Sequence, residues 1–328
     1  MSFHAIVAQR ADSGAISASI ETLEEAVLGD GDVTVAVEWS NLNFKDAIAY
    51  VSPLIIQKFP LIPGIDFAGT VEQSTDPRFA PGDRVVATGW GLSQTHNGGY
   101  AQRARVKSDW LVKLPEQIST RDAMAIGTAG FTSMLSVLAL EHGGITPARG
   151  DVVVTGASGG VGSIAIAILA KLGYRVIASS GKTEENAYLS ALGASEILDR
   201  AELAVDAPPL GAERWAAGID TVGSKTLANL IAHTKYRGVV TTCGFVGGMD
   251  LPVSVRPFIL RNVTLAGIDS VNCPQPIREE AWRRLASDLD LTKLQSTITE
   301  IGLGEVLEAA SRMREGKIRG RTVIDVNR

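Results

Sequence analysis

The apolar positions of this chain change their period twice. As far as about residue 119 they come in short bursts separated by turn residues. His4–Ala8 is one such burst, and Asp32–Glu38 alternates apolar and polar with the period of two expected of a half-buried strand. Residues 39–46, Trp-Ser-Asn-Leu-Asn-Phe-Lys-Asp, lead into a short helix. Residues 59–71 mix proline, glycine and β-formers, as a barrel corner would. Pro81–Val86 is a turn feeding a strand, Gly98–Gln102 opens another, and Trp110–Pro115 gives a third. Many short strands with frequent turn signals predict a mostly β first domain. From Thr120 the period becomes helical, with Asp122–Ile126 and Gly127–Thr132 leading into an apolar helix through Leu140. From Arg261 the first pattern returns, with a strand at Val263–Gly267, a helix at Glu279–Leu289 and a last strand at Arg321–Val326.

Between the two changes lies the stretch around which the chain is organised, Asp151–Gly181. It opens on Val152-Val153-Val154, a buried strand by its β-branched run, and continues into the turn Ala157-Ser158-Gly159-Gly160-Val161-Gly162. Val161, Ile164, Ala165, Ile168, Leu169 and Leu172 then recur on one helix face, and Gly173 takes the left-handed position that ends it. Arg175–Ala178 is a second strand. The glycines fit a βαβ unit that seats a pyrophosphate on the first amides of the helix, where the helix dipole favours negative charge. A side chain at Gly159 would obstruct the phosphate, and one at Gly162 would wedge helix from strand. The other reading is an ordinary glycine-rich turn; the strand before it and the helix after it favour a dinucleotide. Further along, Ala187–Leu192 is a helix that Gly193 ends, and Gly218–Gly223 and Gly238–Gly244 are parallel strands joined by a helix at Leu227–His233. The expected fold is α/β: a Rossmann-type doubly wound parallel sheet, residues 123–261, inserted into a mostly β domain of residues 1–122 and 262–328.

The dinucleotide's identity is decided at the end of the second strand. NAD sites place an Asp or Glu about 20 residues beyond the turn, against the ribose 2′-hydroxyl. Here that place holds Ser179-Ser180-Gly181-Lys182, and no acid occurs before Glu184. Two hydroxyls, a backbone amide and an ammonium suit a 2′-phosphate, which predicts NADPH; a polar turn with a solvated lysine is the plainer alternative.

Composition removes several other classes. The 328 residues have a formal net charge of −5, which argues against nucleic acid or an anionic membrane as partner. The longest apolar run near a helix, Val161–Ala170, is far short of a membrane span, and the first residues lack a signal-peptide core. Two cysteines, Cys243 and Cys273, make neither a disulfide framework nor a zinc site. A cytoplasmic, metal-free protein is expected.

The chain resembles the medium-chain dehydrogenase/reductase superfamily, and within it the zinc-independent, quinone-oxidoreductase-like branch that includes acryloyl-CoA reductases. The resemblance rests on residues 40–46, on Phe59–Gly69, on Thr88-Gly-Trp-Gly91, on Gly127–Thr132, on Thr155–Gly162, on Ile219–Gly223 and on Pro257-Phe-Ile-Leu-Arg-Asn262. It makes the first domain GroES-like. Zinc-bearing relatives carry a cysteine near the Asn43 region and a His-Glu pair where this chain has Ile65-Asp66, and a catalytic zinc needs three good ligands. The resemblance also implies that NADPH is held through Phe44, Thr128, Ser158, Gly159, Gly160, Val161, Ser180, Gly181, Lys182, Arg200, Phe245, Ile259, Ser270 and Arg321. Phe44 stands where tyrosine is common, and Lys182 where an arginine is frequent, which loses a bidentate grip on phosphate. Without the resemblance, Arg321 reads as a solvated strand-edge charge, Phe245 and Ile259 as core, and Arg200 as an exposed loop residue.

The reaction so implied is reduction of a C=C bond conjugated to a thioester, acryloyl-CoA to propanoyl-CoA, by NADPH. Asn43, Lys45 and Asp46 are the candidate catalytic residues, although Asn43 and Asp46 are equally read as a capping and turn pair. Tyr50, Tyr100 or water are candidate proton donors. Arg103, Arg105 and Lys107 could meet coenzyme A phosphates. A quinone or general enone reductase is the alternative within enzymes; a non-catalytic NADPH-binding sensor is the alternative outside them. The resemblance implies a homodimer.

Overall fold

The computed structural model describes every residue except Pro53, and the chain divides into two compact units. The first comprises Met1–Thr128, Ser270–Ala286 and Ile298–Arg328; the second comprises Ala129–Asp269 and Ser287–Thr297.

The first unit is built on a seven-stranded sheet. Its order is Ile298–Gly302, Arg321–Asp325, Val33–Leu42, Asp66–Ser74, Arg84–Thr88 and Leu111–Lys113, with Arg103–Val106 pairing Val33–Leu42 as well. All pairs are antiparallel except the first. A separate antiparallel pair joins Ser2–Arg10 to Ile16–Glu24. The sheet's inward residues, among them Val35, Val37, Leu42, Phe67, Val71, Val85, Ala104 and Ile324, form one buried cluster. The short helix expected after residue 43 is Phe44–Ala49.

The second unit is a six-stranded parallel sheet in the order Glu196–Asp199, Val176–Ser180, Val152–Val154, Trp215–Asp220, Thr234–Thr242 and Thr264–Gly267. The doubly wound order places Val152–Val154 at the centre, so this strand is wholly buried and reads as an unbroken apolar run. The following helix, Gly160–Lys171, is buried continuously from Gly162 to Leu169, which is why its sequence is apolar on nearly every side.

Two sequence readings are corrected. The strand at Val263–Gly267, which the sequence pattern places with the returning β domain, is instead the edge strand of the parallel sheet, in register with Val239–Thr242. Its isolated β pattern carries no mark of which sheet it joins. The apolar run Val161–Ala170 is also not the longest. The helix Thr120–His142 is long and apolar enough to cross a membrane, but 89% of its most apolar window is buried within the protein, so packing accounts for its hydropathy. That helix is interrupted at Gly127, which has φ 50° and ψ −159°.

Candidate active site

In the first unit, three segments bring polar side chains into a buried cluster: Ser40–Asp46 at the end of a strand, Ile65-Asp66 at the start of its neighbour, and the break in the helix at Gly127-Thr128. Asp66 is the common acceptor. Its Oδ2 receives Asn41 Nδ2 (3.0 Å), Asn43 Nδ2 (3.0 Å) and the Thr128 amide (2.7 Å), and its Oδ1 receives the Thr128 hydroxyl (2.5 Å). The positive φ at Gly127 is what turns the Thr128 amide toward the carboxylate. A Cβ at Gly127 would also run into Asn41, Asp66 and Arg321, so this position accepts only glycine for two independent reasons.

Asp46 is fully buried. Its Oδ1 accepts the Ile65 amide (2.9 Å), and its Oδ2 accepts the Asn43 amide (3.0 Å) and Asn43 Nδ2 (3.3 Å). Burial, helped by the neighbouring Asp66 charge, pushes the Asp46 carboxyl up to about 7 against these hydrogen bonds. Arg321 completes the cluster. It is 2% exposed, donates Nε to the Ala125 carbonyl (2.8 Å) and NH2 to Asn43 Oδ1 (3.2 Å), and is held below the usual guanidinium value by burial, with Asp66 and Asp46 opposing. The strand-edge reading of Arg321 is therefore wrong: it is an internal charge. Asn43 has both its amide hydrogens and its oxygen engaged in this network, and Asp46 caps the helix that begins at Phe44.

Phe44 and Lys45 are less buried than Asn43 and Asp46 on either side of them. Phe44 is 44% exposed, and Lys45 Nζ donates to Gln94 Oε1 (2.9 Å). Of the two tyrosines, Tyr100 is fully buried with its hydroxyl donated to the Asn41 carbonyl (3.1 Å). Among the described residues the buried Tyr50 hydroxyl has no hydrogen-bond partner, and burial together with Asp46 raises its pKa. Ser270, also in this unit, offers its carbonyl to Arg278 (3.1 Å). Arg103 and Arg105 do not form an open basic face. Arg103 pairs with Glu25 and Glu72, and Arg105 with Glu25 (2.5 Å). The alternation along that strand marks an ion-pair ladder. Among the described residues no three His, Cys, Asp or Glu side chains are grouped as a metal site would need.

In the second unit, the turn Thr155–Gly162 joins the central strand to the buried helix. Thr155 Oγ1 donates to Asp220 Oδ1 (2.7 Å), and Asp220 Oδ2 accepts the Gly223 amide (2.8 Å). Asp220 thus fastens two neighbouring strand ends together, and burial raises its pKa against those bonds. A Cβ at Gly162 would stand 2.5 Å from the Gly156 carbonyl oxygen and 2.8 Å from Ala157 Cα, so the helix sits directly against the turn. The helix begins at Gly160 after an extended Gly159, with no acidic residue in its first turn. Ser158, Gly159, Gly160 and Val161 therefore line a helix N-terminus whose own first turn carries no acidic residue. At the end of the adjacent strand, Ser180 Oγ accepts the Lys182 amide (3.2 Å). The Arg200 side chain lies across Gly181, where any Cβ would collide with its Nε, Cδ and Cγ. The structure thus brings Ser180, Gly181, Lys182 and Arg200 into one place, two of them cationic and none acidic. Phe245 and Ile259 are 57% and 73% exposed, so neither is core. Cys243 hydrogen-bonds to the Asp220 carbonyl, and burial beside Asp220 pushes its thiol up to about 12.

Asn41, Asp66, Thr155 and Asp220 escaped the sequence reading as functional residues. The available signal was a polar side chain inside an otherwise apolar, β-forming run, as in Pro-Gly-Ile-Asp-Phe-Ala and Gly-Ile-Asp-Thr-Val.

Comparison with known proteins agrees with this geometry. Residues 29–116 match the alcohol dehydrogenase GroES-like domain, and residues 160–287 match the model described as zinc-binding dehydrogenase. The chain is 52% identical, over 96% of its own length and 97% of the relative's, to a protein of Escherichia coli K12 named a probable acrylyl-CoA reductase, AcuI. It is 48% identical to the acrylyl-CoA reductase AcuI of Ruegeria pomeroyi, with 99% of each chain covered. To the putative quinone oxidoreductase YhfP of Bacillus subtilis it is 42% identical, with 98% of each covered. Among solved structures, the yhdH oxidoreductase of Salmonella enterica in complex with NADP superposes with a TM-score of 0.96 at 52% identity, and Bacillus subtilis yhfP with NAD bound with 0.96 at 41%. Each alignment covers 99% of both chains. With two relatives near half-identical from end to end, and both domain models matched in order, the chain belongs to the medium-chain dehydrogenase/reductase family.

Proposed function

We propose that this protein is an NADPH-dependent reductase of the conjugated C=C bond of a short enoyl thioester, with acryloyl-CoA as substrate and propanoyl-CoA as product. The observation that carries the cofactor is the cradle at Ser180, Gly181, Lys182 and Arg200, which brings two cations together at the strand end, beside a turn where Gly156 and Gly162 leave no room for a Cβ. Ser158–Val161 would hold the pyrophosphate, and Lys182 and Arg200 the 2′-phosphate. Phe44, Thr128, Ser270 and Arg321 of the first unit, and Phe245 and Ile259 of the second, are the further contacts proposed. NADPH supplies a hydride. The rest of the chemistry belongs to the chain: orienting the thioester, offsetting the negative charge that develops on its oxygen, and permitting a proton to reach the α-carbon.

Within that scheme Lys45 is the residue proposed to face the reacting group, because its ammonium is part-buried on the loop. Asn43 and Asp46 act as positioning residues, since Asn43 is engaged throughout and Asp46 is fully buried. Tyr100 is withdrawn as proton donor by its bond to Asn41, which leaves Tyr50 or water. Residues 1–122 with 262–328 are proposed as the substrate domain and 123–261 as the NADPH-binding domain, with the edge strand Thr264–Gly267 continuing the latter's sheet.

Initial rates of NADPH oxidation with acryloyl-CoA and with a benzoquinone test the reading. The thioester should be the better substrate by kcat/KM; turnover of the quinone alone would replace it with the quinone reductase suggested by the Bacillus relative's name. The enzyme is further proposed to be a cytoplasmic homodimer. The support is an unpaired edge strand at Thr264–Gly267 in a unit that exposes Met249, Val255 and Leu260, apolar surface that a second copy would cover.

A further inference from the structure

Three basic side chains gather at Trp110 in the first unit. The Trp110 ring stacks on Trp90 at 6.5 Å between centroids. His96 meets it edge-on at 4.7 Å, and Lys107 Nζ stands 5.8 Å from its centre. Lys58 belongs to the same place because the Gln57 amide donates to the Gln94 carbonyl (2.9 Å), which ties that segment to the turn at residues 91–97. Burial holds the His96 imidazole below its ordinary pKa, and the charges of Lys107 and Lys58 add to the effect; no carboxylate opposes them there. Both lysines are exposed, and among the described residues neither has a carboxylate partner. This sets them apart from Arg78, Arg103, Arg105 and Lys113 of the same unit, each paired with an acid. The one acid nearby in sequence, Asp109, is occupied by Arg78 (2.6 Å).

The turn that carries His96 also reaches the proposed reaction site, because its Gln94 accepts the Lys45 ammonium (2.9 Å). The turn at residues 91–97 thus links Lys45, held by Gln94, to Trp110 and Lys107, met by His96. In a chain of formal net charge −5, a surface of uncompensated cations is where a polyanion can approach. Coenzyme A carries its phosphates at one end of a long uncharged arm and its thioester at the other. Its charge must therefore be recognised some way from the reacting carbon. Lysines, as point charges on flexible stems, suit phosphates whose position varies with the arm.

We propose that Lys58, His96 and Lys107, gathered round Trp110, receive the phosphates of a coenzyme A thioester whose acyl end lies at the loop of residues 43–46. The proposal rests on the thioester reading above and names the surface that selects the coenzyme A form of the substrate. Neither Arg103 nor Arg105 takes part, since both are paired with glutamates.

The test is steady-state kinetics at saturating NADPH with acryloyl-CoA and with acryloyl-pantetheine, the same thioester without phosphates. Lys58→Glu/Lys107→Glu should raise the KM for acryloyl-CoA at least about tenfold at low ionic strength. The KM values for acryloyl-pantetheine and NADPH should stay within about twofold, since only the coenzyme A phosphates meet this surface. The milder Lys58→Gln/Lys107→Gln should move the acryloyl-CoA KM in the same direction by less. Added salt should raise the wild-type KM for acryloyl-CoA and leave that for acryloyl-pantetheine. Unchanged kinetics in both double variants, a parallel loss with both thioesters, a loss confined to NADPH, or equal wild-type KM values for the two thioesters would each overturn the site. A wild-type enzyme that reduces neither thioester would instead overturn the reading of function on which the site rests.

Discussion

Asp66→Asn is the substitution that tests the buried cluster most sharply, because it removes a charge while keeping the shape. Asp66 accepts four hydrogen bonds, three on Oδ2 and one on Oδ1. An asparagine can turn its oxygen to the three N–H donors and its amide to the Thr128 hydroxyl, which is able to accept. The hydrogen-bond count therefore survives, and the loss is electrostatic. Asp66 acts on the buried Arg321 as a nearby opposite charge, and the loss of about 3–5 kcal/mol when one partner of a buried, contacting ion pair is removed is an upper bound here. Here Asp46 remains as a second counter-charge for Arg321, so about 2–3 kcal/mol is expected.

That loss should depend on pH, with a sign fixed by Asp46. Its carboxyl is displaced from 3.8 to about 7, so between those values the folded protein holds a proton that the unfolded chain has released. Stability contributed in this way is complete at low pH and is lost as pH rises through about 7. At most it amounts to about 4 kcal/mol. Part of the displacement comes from Asp66. In Asp66→Asn, then, Asp46 ionises more readily and serves Arg321, and the variant is relieved of the repulsion that wild type suffers above neutrality. Urea unfolding at pH 5 and pH 8 should show the destabilisation larger at pH 5. A difference within about 0.5 kcal/mol of zero at both pH values, or a loss that grows with pH, would refute the reasoning.

Other outcomes follow from single contacts. Lys182→Glu places a carboxylate beside Arg200 and should weaken NADPH by about tenfold or more while leaving NADH within about threefold, as measured by fluorescence titration; equal losses would put the 2′-phosphate elsewhere. Gly162→Ala forces the helix away from the Gly156 carbonyl and Ala157, and should lower both the thermal midpoint and dinucleotide affinity, by about 1–3 kcal/mol in stability. Cys243, with its thiol pushed up to about 12, should react with iodoacetamide at pH 8 far more slowly than a free thiol does. Leu260→Arg should convert a dimer to a monomer in light scattering without altering NADPH affinity.

How much of this was legible beforehand differed between the two units. The parallel sheet announced itself because a doubly buried strand must be continuously apolar, as Val152–Val154 is, and because the turn after it has steric needs that only glycine meets. The end of the next strand was legible for the same reason: the absence of an acid at Ser179–Lys182 is a local property of the sequence. Arg200 became a partner of Gly181 only through the pairing of Glu196–Asp199 with Val176–Ser180, and strand pairing is not written in either segment alone. The buried cluster of the first unit was the least legible part. Asp66 gathers donors from residues 41, 43 and 128, and one of these arrives only because a helix breaks at Gly127. Arg321 shows the same limit. In Arg-Gly-Arg-Thr it reads as solvated, yet the sheet carries it inward to Asn43.

The proposed reaction requires a hydride to reach the β-carbon of an enoyl thioester held on this chain. Turnover of acryloyl-CoA with NADPH deuterated at the transferable position of the nicotinamide, followed by NMR of the product, tests it directly. The expected product is propanoyl-CoA with one deuterium on the terminal methyl carbon and a solvent-derived proton at the α-carbon. Label at the α-carbon, or no labelled propanoyl-CoA at all, would contradict it.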